Sequence, residues 1–174
     1  MTPQMPLMGL DPDQQVKEIY AHFGLALYEA QVLEHRFVIA MALADLFPNM
    51  QPSQTLADFD LFMDKHFAMT LGGMIKEFSK FVAVPPTLES MLVQARSKRN
   101  WLAHNFFRER AEEFMNMEGR HKMLAELQDA QRLFEQCDDA LSEVTQSLHE
   151  RFGPTDEELE KRLKETLDRV RSDL

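Results

Sequence analysis

From Leu127 to Leu148 the apolar residues recur in steps of three and four: Leu127, Ala130, Phe134, Cys137, Leu141, Val144 and Leu148. That spacing has one regular solution, an α-helix that buries a continuous stripe against other helices. The stripe serves either the inside of the chain's own bundle or a surface between two copies. Gly153-Pro154 ends the run. Thr155 and Glu158 then form a capping-box pattern that opens a last helix, from Asp156 to about Arg171, with a stripe of Leu159, Leu163, Leu167, Val170 and Leu174.

The rest of the chain carries the same period. Asp11-Pro12 offers an N-cap and a first-turn proline, and Tyr20, Phe23, Leu27, Ala30, Phe37, Met41 and Ala44 extend a helix to Phe47. Gly24 can bend it without ending it. Residues 48–53 (PNMQPS) read as a loop. Residues 57–82 are helical in composition, with Gly72-Gly73 as a junction, and Pro85-Pro86 is a firm break. Thr87 is placed to cap the next helix, which runs to about Phe107, before an ill-defined stretch around Gly119. No segment alternates as a strand would. The fold class is all-α: an antiparallel helical bundle of five to seven helices. It is expected as a flexible N-terminus (1–10), a bundle (11–153) and a terminal amphipathic helix (154–174) packed on the bundle or on a dimer partner.

At 174 residues the chain can bury one sizeable core. Cys137 is its only cysteine, which excludes an intrachain disulfide and a multi-thiolate zinc site. The first residues, MTPQMPLMGL, lack the basic and apolar pattern of a signal peptide, and no stretch approaches the ~20 apolar residues of a membrane span. The expected setting is cytoplasmic, with no membrane partner. The formal charge is -10, which argues against a general nucleic-acid coat. From Leu92 to Lys122, however, seven Lys/Arg face four Glu, a net +3 that leaves -13 for the remainder. Such an island suits either an anionic ligand bound at one place or a solvated face of mixed charge.

Within that island, Leu88, Met91, Leu92, Ala95, Leu102 and Phe106 mark the buried stripe of one helix, and Arg99 shares its register. A second stripe, in steps of four, is Arg96, Asn100, His104 and Arg108. An inward arginine needs an anionic partner or a wet cleft, because its charge cannot be shed. Glu34, inside the apolar stripe of the first helix, is the carboxylate expected to supply that partner. Histidine moves protons near neutral pH, so His104 beside Arg99 suits phosphoryl chemistry. Glu118 and His121 have a di-iron-like spacing but no second such pair, and neither metal nor cofactor is expected.

The run Arg99-Asn100-Trp101-Leu102-Ala103-His104 resembles the signature of the HEPN superfamily: Arg, a polar residue, three to five further residues, then His, placed late in a helix. The resemblance spans about residues 16–152. It implies a homodimeric, metal-independent endoribonuclease, or toxin-like effector, that leaves 2′,3′-cyclic phosphate ends. His104 would be the acid/base, Arg99 the phosphate clamp and Asn100 the orienting residue, with Arg96, Lys98 and Arg108 steering RNA. Some toxin members carry a modifiable Tyr two residues after the His, where this chain has Phe106. A protein partner of antitoxin type is also compatible with the resemblance. Other members are non-catalytic binding or adaptor modules, in which Arg99 would be a structural ion-pair residue.

Overall fold

The computed structural model describes residues 7, 9–49 and 56–172. Helix α1 (Pro12–Met41) is opened by Asp11, whose carboxylate accepts from the Gln14 amide at 2.8 Å while the Gln14 side chain accepts from the Asp11 amide at 3.1 Å. It runs on through one π-helical turn (Ala42–Leu46) and a 3-10 turn (Phe47–Asn49), so residues 48 and 49 are helical; residues 50–55 lie outside the described residues. Then come α2 (Leu56–Phe67), α3 (Leu71–Phe78), α4 (Pro86–His104), the single turns α5 (Phe106–Glu109) and α6 (Ala111–Phe114), α7 (Met117–Phe152) and α8 (Asp156–Ser172). No strand occurs among the described residues. The protein is an all-α bundle.

Three long helices, α1, α4 and α7, frame the core, and α3 adds Leu71, Met74 and Phe78 to it. Contacts between α1 and α7 climb together: Gln15 with Arg120, His22 with Gln131, Arg36 with Asp138. Contacts between α1 and α4 run in opposite senses, from Glu34–Arg99 to Tyr20–Phe107 just beyond the end of α4. Helix α4 is therefore antiparallel to α1 and α7, which are parallel to each other in an up-down-up arrangement. Ile19, Ala26, Ala30, Leu33 and Phe37 from α1 meet Leu88, Leu92, Ala95 and Leu102 from α4 and Leu127, Ala130, Phe134, Cys137 and Leu141 of the α7 seam, while Val144 and Leu148 are half-buried. Phe37, Phe78, Phe106 and Phe134 are its largest fully buried rings. Burial holds the Cys137 thiol up to a pKa of about 11. Leu7, from the segment expected to be flexible, is fully buried in this core, while residues 1–6 and 8 lie outside the described residues.

Several boundaries differ from the sequence reading, each for a local reason. The α2–α3 junction falls at residues 68–70 rather than at the glycines, because the Thr70 hydroxyl accepts from the Gly73 amide (3.2 Å) and caps α3. Pro85, in extended conformation, stands at the cap position of α4, leaving Thr87 inside the helix. Helix α4 stops at His104 because Asn105 leaves helical geometry (φ -128°). Helix α7 begins earlier than its seam: the Asn116 side chain accepts from the Gly119 amide at 2.8 Å. Thr155 and Glu158 do cap α8 reciprocally, at 2.8 and 3.3 Å.

Candidate functional site

Helix α4 presents Arg96, Asn100 and His104 along one exposed face, with Arg99 at its inner edge. Opposite them stands the α2–α3 corner, residues 68–72, and between the two lies a cleft of about 660 Å³. At Gly72 the corner meets the Arg96 side chain with no side chain of its own in between. A Cβ there would lie 3.0 Å from Arg96 Cδ and 3.2 Å from its Nη1. The Arg96 side chain thus rests against the first turn of α3, where helix amides point outward and the local field is positive. Among the described residues neither Arg96 nor His104 has a hydrogen-bonding or ion-pair partner.

Arg99 is anchored. Its Nε donates to Glu34 Oε1 at 3.1 Å, joining α4 to α1, and its Nη1 makes a long 3.5 Å contact with Asn100 Oδ1. The pair is not sealed: the Arg99 side chain keeps 35% of its exposure and Glu34 16%. Arg99 therefore sits on the rim of the cleft rather than inside the packed seam. One edge of the guanidinium is held by a carboxylate, and the side chain still lines the cavity. Held so, it is pre-oriented for an anion without being neutralised beyond reach.

The six residues singled out by their pattern separate into two groups. Arg96, Arg99, Asn100 and His104 line this cleft. Arg108 does not reach it, because the helix breaks at Asn105; its Nη2 donates to Asn105 Oδ1 at 2.6 Å and lies 3.8 Å from Glu109. Lys98 lies around the far side of α4, with Nζ 4.8 Å from the centre of the Trp101 ring. There a second groove of about 450 Å³ runs between α4, Arg110 and α7. Arg110 is fixed by a two-pronged bridge to Glu126 (2.8 Å each) and has its guanidinium carbon 5.2 Å from the Trp101 ring centre. The Trp101 indole N–H donates to Glu109 at 2.8 Å. The corner residues and this groove went unnoticed in the sequence, although Gly72 and the single tryptophan were the signals available.

No described group of three or more His, Cys, Asp or Glu side chains is arranged to hold a metal ion, and Glu118 is paired with Lys122 at 2.9 Å. No described helix is long and apolar enough to cross a membrane. No family model matches this chain, nor does any curated protein or solved structure.

Proposed function

We propose that the chain is a HEPN-type domain acting as a homodimeric, metal-independent endoribonuclease of toxin-like kind. The observation that carries this reading is the joining of Arg96, Arg99, Asn100 and His104 on one open cleft, with the His104 side chain exposed and without a partner among the described residues. In-line attack by an RNA 2′-oxygen on its neighbouring phosphorus forms the 2′-O–P bond and breaks the P–O5′ bond. The 2′ proton must leave and the 5′ oxygen must gain one, work that His104 can do from either protonation state. Arg99, oriented by Glu34, offsets the charge that builds on the phosphoryl oxygens. Asn100 steadies the pair, and Arg96 takes a flanking phosphate. The products are a 2′,3′-cyclic phosphate and a 5′-hydroxyl. Two protomers with facing clefts would supply two histidines, one for each proton.

A second reading rests on the Glu34–Arg99 ion pair itself: a binding or adaptor module in which Arg99 registers α4 on α1. Incubation with single-stranded RNA in EDTA separates the two. The nuclease reading expects cleavage with cyclic-phosphate ends, abolished in His104→Ala. Intact RNA, or cleavage unchanged in that variant, sinks it in favour of the adaptor.

A further inference from the structure

The two grooves on α4 adjoin, because Ser97 lines both. On one side of Ser97 stand Arg96, unpaired among the described residues, the anchored Arg99 and His104. On the other stands Trp101, half-buried, with Lys98 and Arg110 near its ring. One groove offers cations and no described acid in its lining; the other offers an indole at the wall of a space within the ~300–1,000 Å³ range of small-ligand clefts. A ligand that uses both must carry an anion and, a short step away, a flat apolar ring.

We propose that the Trp101 groove is a nucleobase subsite, which takes the base of a single-stranded nucleotide whose phosphate lies in the adjoining Arg96–His104 cleft. The anionic half of this assignment rests on the RNA reading above, while the base half rests on Trp101 and its neighbours. Arg110 cannot swing away readily, since Glu126 holds it at two points and the Trp101 N–H is tied to Glu109. The indole is therefore a braced platform. Lys98 is the movable member: no carboxylate pairs with it among the described residues, so a base can displace its ammonium from the ring and leave it free to meet a phosphate. A base inside a duplex is already stacked on both faces, so the subsite selects unpaired strands. Stacking tolerates every base, which makes the groove a grip on strand character rather than a reader of sequence.

Trp101 is the only tryptophan, so its emission reports on this groove alone. The probe is a short 2′-deoxy pyrimidine strand, which lacks the attacking hydroxyl and cannot turn over. It is titrated in EDTA against the full chain, with binding followed in parallel by anisotropy of a labelled copy. The expected result is saturable quenching by the single strand, with no quenching by inorganic phosphate or by the same strand in a duplex. Trp101→Leu should weaken strand binding by roughly 5- to 150-fold, the cost of losing one stacked base. If that variant unfolds, as circular dichroism would reveal, the wild-type quenching and Lys98→Ala decide instead. Lys98→Ala keeps the quenching and weakens binding modestly. Strand binding that leaves Trp101 emission unchanged overturns the base subsite, as does the absence of strand binding or equal quenching by phosphate alone. RNA cleavage measured alongside keeps the two ideas apart. Cleavage without quenching removes only the subsite, and quenching without His104-dependent cleavage removes only the nuclease.

Discussion

Arg99 shows how one ion pair can serve both stability and chemistry. Its bond to Glu34 spans 65 positions of sequence and joins α1 to α4, yet the Arg99 side chain keeps 35% of its exposure. Exposed pairs contribute about 0.2–1 kcal/mol, and breaking a sealed one costs about 3–5 kcal/mol. With side-chain exposures of 35% and 16%, this pair falls between those limits. Glu34→Gln keeps the shape and an acceptor but removes the charge, and should lower unfolding free energy by about 1–2 kcal/mol in a urea titration. A loss below ~0.3 kcal/mol would mean that the pair is no more than a surface contact. The same substitution frees the Arg99 guanidinium to rotate, so an active cleft should lose turnover while the fold persists.

At the scale of elements, the corners decide which residues share a site. A helix continued to Phe107 puts Arg108 one turn above His104; the break at Asn105 removes it. Nothing in the apolar period announces that break, since Phe106 remains buried in the core on either path. The period located α1, α4, α7 and α8 because long amphipathic helices repeat their signal many times. It gave no account of α5 and α6, where four residues are too few to show a period. Likewise, Glu34 and Arg99 were legible as polar residues in apolar registers, whereas the cleft wall at residues 68–72 depends on how two helices meet. The α6–α7 corner is the tightest of these joints. A Cβ on Gly119 would stand 2.1 Å from the Glu113 carbonyl oxygen and 2.3 Å from its Cα, both backbone atoms. Gly119→Ala should therefore cost at least ~2 kcal/mol despite alanine's better helix propensity, readable as a fall in the urea midpoint. An unchanged midpoint would show that the corner yields.

The far end of α7 carries a proton-linked element. Burial first, and then the nearby Arg36 guanidinium, hold the His149 pKa below its ordinary 6.5. Folding thus favours the neutral ring, and its contribution is complete above pH 6.5. That contribution fades as the pH falls through the depressed folded value, because the unfolded chain takes up the proton first. Melting temperature should decline from pH 6.5 downward, and His149→Gln should flatten the decline. A pH profile identical in the two proteins would exclude His149 as its source.

Taken whole, the molecule divides into a bundle that closes on itself and a terminal helix whose described side chains stay in water. The core gathers α1, α3, α4 and α7 around four fully buried phenylalanines. Every described side chain of α8, by contrast, is exposed, with Leu163 at 61% and Leu167 at 45%. Hydrophobic stabilisation scales with the apolar area removed from water, so these described side chains add little burial to the bundle. The described local supports of α8 are the Thr155–Glu158 cap and pairs such as Lys161–Glu165, each a contribution of tenths of a kcal/mol to about 1 kcal/mol. Deleting residues 154–174 should therefore leave the cooperative melt of residues 1–153 in place, shifted by less than the ~2–4 °C that 1 kcal/mol produces in a domain of this size. The α8 helical signal should be lost in proportion to its length. A larger fall would mean that the Leu163–Leu167 stripe is covered in solution. Light scattering on the same two proteins then tells which surface covers it, since a stripe buried against a second copy changes the mass on deletion and one folded back on its own bundle does not.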